Sequence, residues 1–386
     1  MNEGSIRIGG LGPLTLPGLW WAGHDLKDGM TLAVEQINGT GGVLGKPLTL
    51  LFEDTQGRPQ VGLAAVEKLL GVGVHVFAGE FHSIVADAIV ESIQRSSLPF
   101  LCASATMDSV TARRLSAVFR LAPPQSYGWS VYADCLVSHG FQHVVALQED
   151  NPYWNRGARV IEARLHNLGI RFTRLPVTAG STDVAACIRQ VQRMRSEHPA
   201  PDILLMLAAY PEPFVSLARE ARKHGLRPPA CFLGDPAGRV ACQDRWGGAD
   251  TDAMPVPFLS YMRSDHPTEE GRRISKQFKG RFGREPTFVA YEGYDSVLVF
   301  ARACDDAGTV DPEAVCNSLR KISVLGTRGT IQFSTEPEGV VHQQWKWPPV
   351  CVVAYSRPQQ SFPEADLLWD AAHGYPGRAR LRREAG

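Results

Sequence analysis

Short apolar runs alternate with amphipathic segments along the first hundred residues. Four runs have the length and composition of buried strands, at Ile6–Gly10, Leu48–Phe52, Val74–Ala78 and Phe100–Ala103. From about Leu26 the apolar residues recur at the spacing of one helix face, and residues 61–70 and 84–92 are also predicted to be helical. Strands that alternate with helices of this length predict a parallel sheet with helices on both faces.

The same alternation resumes after the Pro123-Pro124 pair. Strands are predicted at 144–148, 203–208 and 231–234, and helices at 157–168 and 213–224. Two such blocks predict two doubly wound α/β lobes. After Asp235 the pattern changes to an extended segment, two helices at 268–282 and 288–307, and strand-like runs at 330–333 and 350–355. The segment beyond Arg357 is polar and broken by prolines, so we expect it to wrap a surface.

Composition narrows the class of protein. The chain has 386 residues, of which 44% are hydrophobic, and this suits two domains. Lysine and arginine number 40, as do aspartate and glutamate, so the zero net charge argues against a nucleic-acid-binding surface. The longest apolar run, Ile203 to Tyr210, is shorter than the roughly 18 residues that cross a bilayer.

The sequence carries none of the motifs that mark common catalytic sites. It has no GxSxG, HExxH or GxGxxG pattern, and neither its histidines nor its cysteines have zinc-ligand spacing. An enzyme would need a nucleophile and base that the sequence does not offer. We therefore predict no catalytic residue, no metal and no cofactor.

The compartment stays open at this stage. Residues 1–5 have neither a basic start nor an apolar signal segment. The chain is therefore either cytosolic or a form from which the signal peptide has been removed. Eight cysteines without a CxxC pair slightly favour a reducing location.

Three stretches carry a family resemblance: GMTLAVEQIN at 29–38, GGVLGKPL at 41–48 and EDTQG at 53–57. They resemble the periplasmic binding proteins of the leucine/isoleucine/valine (type I) family, the substrate-binding components of ABC transporters. The similarity runs over about residues 5–350 and includes Gly234-Asp235 and Tyr294-Asp295.

The resemblance implies the periplasmic binding protein type I fold, with two doubly wound parallel-sheet lobes joined by three crossings. The N-terminal lobe would comprise residues 1–122 and 256–327, and the C-terminal lobe residues 123–255 and 328–386. The crossings would lie near Leu121–Gln125, Met254–Phe258 and Leu325–Gly329. The ligand would lie in the cleft, where strand ends and helix N-termini converge.

By the same resemblance, Ser83, Ser104 and Thr106 would bind a ligand carboxylate. Ser83 precedes a predicted helix, whose free N–H groups and dipole attract an anion. The alternative for Ser83 is a plain N-cap, and for Ser104 and Thr106 a turn with local hydrogen bonds.

The resemblance places the rest of the ligand against aromatic and acidic residues. Asp235 would pair with an ammonium group, although it also fits a turn. Tyr153 and Tyr210 would form an aromatic wall, and Trp21 would face the ligand from the first loop. Tyr291 would close the far side or belong to the core.

These features predict a binding protein and not an enzyme. The first hypothesis is a periplasmic or cell-envelope, monomeric solute-binding protein of an ABC importer. It would take a branched-chain amino acid or a related ligand by hinge closure and deliver it to an ABC permease. The alternative is a cytosolic ligand-sensing regulator of the same fold that binds a small amide or acid.

Overall fold

The computed structural model describes most of the chain. The described residues are 4–177, 183–194, 196, 199, 201, 203–207, 223–224, 232–234, 256–263, 268–336, 339–346, 348–355, 360 and 362–372. The chain divides into two compact units, Met1–Gln125 with Pro267–Pro349, and Ser126–His266 with Val350–Gly386. Each unit is therefore built from two separate stretches of chain.

The strands and helices of the described residues are numbered in chain order. The strands are β1 Ile6–Gly12, β2 Leu48–Asp54, β3 Val76–Gly79, β4 Phe100–Cys102, β5 Val118–Arg120, β6 His143–Glu149, β7 Arg171–Val177, β8 Ile203–Leu207, β9 Phe232–Gly234, β10 Val256–Ser260, β11 Val324–Leu325, β12 Thr330–Ile331, β13 Cys351–Tyr355 and β14 Asp366–Asp370. The helices are α1 Trp20–Gly39, α2 Pro59–Gly71, α3 Ser83–Ser96, α4 Ser109–Ala112, α5 Gln125–Ser138, α6 Pro152–His166, α7 Val184–Met194, α8 Glu269–Phe282, α9 Phe288–Ala307 and α10 Pro312–Leu319.

The first unit is built on a parallel sheet. Its strands, in the described part of the chain, follow the order β2-β1-β3-β4-β5. Leu11 of β1 lies opposite Glu53 of β2 and Gly79 of β3, so the strands end at a common edge. Buried residues of α2 and α3, including Val66, Ile89 and Ile93, belong to a hydrophobic cluster with residues of the sheet. The parallel α/β fold class predicted from the alternation is confirmed.

Helices α1 and α9 approach each other very closely in this unit. A Cβ atom at Gly29 would lie 1.9 Å from the Ala290 carbonyl oxygen, and one at Gly293 would lie 2.2 Å from that of Leu26. Only glycine fits at both positions, because any side chain would overlap the backbone of the facing helix. The contact brings α9 back onto a helix that lies about 260 residues earlier in the chain.

The second unit contains two sheets in its described part. One is parallel, with the order β7-β6-β8-β9, and the other is antiparallel, with the order β10-β13-β14. Trp129 of α5 is buried and lies edge-on to Trp154 of α6, with ring centroids 5.7 Å apart. Gly157 makes room for it, because a Cβ there would come 2.7 Å from the Trp129 indole nitrogen.

The C-terminal part differs from the sequence-based expectation. The segment beyond Arg357 was expected to wrap a surface, but β14 extends a sheet by pairing with β13. The expected crossing near Leu325–Gly329 falls inside the first unit, which continues to Pro349. The physical reason is that Gln343 and Trp345 bond to the backbone of Arg120 at the edge of the first sheet. The second crossing falls after His266, beyond β10, which pairs within the second unit.

Candidate functional site

The carboxyl edge of the first sheet has the geometry of a ligand site. After β1 the chain continues to β2 on one side of the sheet, and after β3 it continues to β4 on the other side. The two connections therefore diverge between the adjacent strands β1 and β3. In doubly wound sheets this divergence leaves a crevice at the carboxyl ends of the strands, where ligands bind. The loops after β3 and β4, residues 80–82 and 103–108, lie at this edge.

Ser83 joins the loops after β3 and β4. Its Oγ accepts hydrogen bonds from the backbone N–H groups of Thr106, at 2.9 Å, and Met107, at 3.2 Å. The N-cap of α3 is His82, so Ser83 is the first helical residue and not the cap. The structure thus brings Ser83 and Thr106 together, as the predicted anion site requires.

The Ser104 hydroxyl is engaged by a buried ionic network. It donates to Oε2 of Glu292 on α9, and Arg328 Nη1 lies 3.1 Å from the other Glu292 oxygen. Arg328 also reaches Asp295, whose carboxylate accepts the N–H and hydroxyl of Thr327, both at 2.8 Å. Burial raises the pKa of Glu292 to about 7 even though Arg328 opposes the shift. Ser104 therefore anchors its turn to α9.

Thr106 lies in the turn that these bonds hold. Its side chain is buried and its carbonyl oxygen accepts the N–H of Gln125 at 2.6 Å and Nη1 of Arg120 at 3.2 Å. Arg120, fully buried at the end of β5, also donates to the Met107 carbonyl at 2.7 Å. The backbone of this turn is therefore bonded on both sides.

Glu80 is a second buried acid at this edge. Its Oε1 accepts the N–H groups of Phe81 and His82, each at 2.9 Å. Its Oε2 and the Thr55 hydroxyl oxygen are buried and make no hydrogen bond of good geometry. Burial raises the pKa of Glu80 to about 7, and Asp54 adds to the shift while Thr55 opposes it.

Two predicted aromatic residues occupy different surroundings in this unit. Trp21 lies in the first turn of α1, half-buried, with its ring edge-on to Phe81 and the centroids 5.7 Å apart. It therefore borders the loop after β3. Tyr291 is buried within α9. Burial raises its phenol pKa to about 12, although a hydrogen bond with Ser275 opposes the shift. The sequence left Tyr291 either at the far side of the ligand or in the core, and in the structure it lies in the core.

In the second unit, Tyr153 lies in the first turn of α6, directly after β6. The turn is capped by Asn151, whose Oδ1 accepts the Trp154 N–H at 3.0 Å. Tyr153 is half-buried and edge-on to Trp154, with ring centroids 4.9 Å apart. It is therefore held at the carboxyl edge of its sheet. The other two predicted contacts, Tyr210 and Asp235, lie outside the described residues.

Sequence reasoning missed the buried charges behind the turn. Arg120 ends a three-residue strand, β5, that was not predicted, and Glu292 and Arg328 are 36 residues apart. The one available signal was an arginine directly after two apolar residues in a short run, Val118-Phe119-Arg120. Partners this distant in the chain leave no local pattern.

The described residues contain neither a cluster of metal ligands nor a helix that could cross a membrane. No group of three or more histidine, cysteine, aspartate or glutamate side chains is placed to hold a metal ion in that part of the chain. Across the same residues, no helix has the length and apolarity needed to cross a membrane.

Sequence comparison identifies related proteins over almost the whole chain. A family profile described as "Periplasmic binding protein" matches residues 5–346. Leu/Ile/Val-binding protein homolog 3 of Brucella melitensis is 29% identical over 334 residues, which cover 85% of this chain and 87% of the relative. The leucine-, isoleucine-, valine-, threonine-, and alanine-binding protein of Pseudomonas aeruginosa is 23% identical over 335 residues, or 86% and 87% of the two chains.

Solved structures share the fold. The leucine binding protein LivK from Thermotoga maritima superposes with a TM-score of 0.77 at 20% identity, covering 94% of this chain and 97% of that one. A solute binding protein of R. palustris in complex with benzoate superposes with a TM-score of 0.78 at 15% identity, covering 97% and 98%. The named relatives are binding proteins and none is described as an enzyme, in agreement with the prediction from the missing catalytic motifs.

Proposed function

Because the chain belongs to the periplasmic binding protein family, we propose that it is the substrate-binding protein of an ABC importer. Its ligand is a branched-chain amino acid or a related small amino-acid-like molecule. The two units close around the ligand by a hinge motion, and the closed form delivers it to a membrane permease. The protein acts as a monomer in the periplasm or cell envelope.

The observation that carries this proposal is the arrangement of Ser83 and the turn at Thr106. Ser83 Oγ already accepts two backbone N–H groups, at 2.9 and 3.2 Å, so its own O–H remains as a donor. It stands at the N-terminus of the 14-residue helix α3, where the helix dipole favours an anion. A ligand carboxylate is the group that suits a hydroxyl donor in this position.

The other contacts follow from their places in the two units. Trp21, bordering the loop after β3, provides an apolar surface for the side chain of the ligand, and Thr106 completes the anion site. Tyr153 contributes from the second unit, and we retain Tyr210 and Asp235 as an aromatic contact and an ammonium partner. Ser104 supports the site indirectly, because Glu292 engages its hydroxyl group and holds the turn, and Tyr291 belongs to the core.

The ligands named for similar proteins support a carboxylate as the common group. The relatives from Brucella and Pseudomonas are named for leucine, isoleucine and valine, and the Pseudomonas protein also for threonine and alanine. Among the solved structures, one from Desulfitobacterium hafniense holds Leu, and the one from R. palustris holds benzoate. All of these ligands are small carboxylic acids.

A thermal-shift screen tests the proposal. The probes are leucine, isoleucine and valine, the same acids without the amino group, benzoate, and small amides. A ligand present at 100 times its Kd stabilises the folded state by about 2.7 kcal/mol, which gives a clear rise in Tm. We expect the three amino acids to raise the Tm most. Hits confined to compounds without an ammonium group would overturn the amino-acid assignment, and hits without a carboxylate would overturn the anion site.

One observation keeps a cytosolic sensor as the second candidate. Cys102, Cys135, Cys304 and Cys316 are buried thiols and form no disulfide in the described structure. Proteins of oxidising compartments more often pair their cysteines. Fractionation of cells that express the full gene distinguishes the two, because recovery in the cytosol would favour the sensor and recovery in the envelope the transport protein.

A further inference from the structure

Arg120 is a fully buried arginine that donates four hydrogen bonds to protein oxygens. Nη1 donates to the carbonyl oxygens of Thr106, at 3.2 Å, and Met107, at 2.7 Å. Nη2 donates to the Val340 carbonyl at 3.2 Å, and Nε donates to Oε1 of Gln344. One side chain thus joins the turn after β4 to residues 340–344.

The Thr106–Met107 peptide group lies between Arg120 and Ser83. Its carbonyl oxygen accepts from Arg120, and its N–H donates to Ser83 Oγ at 3.2 Å. In a trans peptide these two groups point in opposite directions and are held in one plane. A bond on each side therefore fixes the orientation of the peptide, and with it the direction in which the Ser83 hydroxyl presents its hydrogen.

The same bonds reach the points where the chain leaves this unit. The Gln125 N–H donates to the Thr106 carbonyl at 2.6 Å, and Gln344 Nε2 donates to the Ala122 carbonyl at 2.8 Å. The chain leaves the first unit after Gln125 and again after Pro349. The turn, the first exit segment and residues 340–344, which precede the second exit, thus share one set of hydrogen bonds.

We propose that Arg120 is a positioning residue for ligand binding. Its guanidinium group holds the Thr106–Met107 peptide in the orientation that the Ser83 anion site requires, and ties that site to the segments on which the hinge turns. The inference rests on the proposed function and deepens it, because it names a residue that sets affinity without touching the ligand. Lysine cannot replace arginine here, since one ammonium group cannot span four acceptors in the geometry of a planar fork.

The test is Arg120→Lys, which keeps the charge and removes the fork. With leucine as the probe, we expect calorimetric titration to show about a tenfold rise in Kd, which corresponds to about 1.4 kcal/mol. Hydrogen exchange of the peptide that contains residues 105–108 should also become faster without any ligand, because the turn loses its outer bonds. An unchanged Kd with unchanged exchange would overturn the inference.

Arg284→Gln is the matched control. Arg284 pairs with the buried Asp25 and with Asp28, neither of which belongs to the turn, so its loss should lower the Tm. If destabilisation alone weakened binding, this variant would raise the Kd as well. We expect its Kd to stay within about twofold of the wild-type value. A rise in Kd that matches that of Arg120→Lys would overturn the positioning role.

A double-mutant cycle with Ser83→Ala separates positioning from general stability. If Arg120 acts through Ser83, the loss in the double variant is smaller than the product of the two single losses, since either change alone disrupts the same site. A loss equal to the product would overturn the inference. If Arg120→Lys does not fold, Gln344→Asn is the second variant. It shortens the side chain that carries one of the acceptors and should raise the Kd by a smaller factor.

The two proposals can fail separately. If wild-type protein binds none of leucine, isoleucine and valine, the amino-acid function fails. The exchange rate of the 105–108 peptide still decides whether Arg120 holds the turn. If wild type binds leucine and the Arg120→Lys variant binds it equally well with unchanged exchange, only the positioning role fails.

Discussion

Ser83 shows how far a single residue could be interpreted from sequence. Its place after a strand and before a helix indicated an anion site, and the resemblance pointed to a carboxylate. The bonds it makes to Thr106 and Met107 were not predictable, because they join residues 23 and 24 positions apart through loop backbone. The hydrogen bond from Ser104 to Glu292, 188 positions away, could not be predicted for the same reason.

Glu80 should make the stability of the protein depend on pH. Its folded pKa is raised to about 7 from a usual value of 4.5, so the folded state binds the proton more tightly than the unfolded state. The resulting stabilisation is fully present below about pH 4.5 and is lost as the pH rises through about 7. Given about 1.4 kcal/mol per pKa unit, the loss is on the order of 3 kcal/mol.

Glu80→Gln tests this expectation. Glutamine keeps an acceptor for the Phe81 and His82 N–H groups and has no ionised form. Urea unfolding between pH 5 and pH 8 should show a smaller decline in the free energy of unfolding than in wild type. Glu91→Gln, at a largely exposed position, is the control and should follow wild type. The same pH slope in wild type and Glu80→Gln would contradict the account.

At the scale of elements, helices with clear capping residues could be predicted from the sequence, and very short strands could not. The predicted helix at 288–307 is α9, confirmed at both ends, because Thr287 caps its N-terminus and Gly308 takes a left-handed φ of 67° after it. Helix α1 begins at Trp20, earlier than the predicted Leu26, since the two tryptophans were assigned to a loop. Strand β5 has three residues, too few to show a period.

The α1–α9 contact gives a test at this scale. Gly29→Ala places a Cβ within 1.9 Å of the Ala290 carbonyl oxygen, so the helices must separate. Overpacking of this kind should lower the free energy of unfolding by about 2–3 kcal/mol. Gly39→Ala, at the end of the same helix with no atom within 4 Å of the new Cβ, should change it by less than about 1 kcal/mol. Equal effects of the two changes in urea unfolding would contradict the packing described here.

At the scale of the whole molecule, the parallel α/β class followed from the alternation of apolar runs and helices. The chain path was harder to predict, because it depends on pairings that leave no local trace. Gln344 bonds to Arg120 across 224 positions, and this pairing keeps residues up to Pro349 in the first unit. The antiparallel sheet of β10, β13 and β14 likewise joins segments about 100 residues apart.

The central claim is that the protein binds a small amino acid through its carboxylate at Ser83. Calorimetric titration with leucine and with 3-methylbutylamine, which lacks only the carboxylate, tests it most directly, in wild type, Ser83→Ala and Ser96→Ala. Ser96 lies at the far end of the same helix and bonds to the Ile93 carbonyl. We predict that wild type and Ser96→Ala bind leucine equally, that Ser83→Ala binds it at least about tenfold more weakly, and that none binds the amine. Binding of the amine as tightly as leucine, or no effect of Ser83→Ala, would contradict the claim.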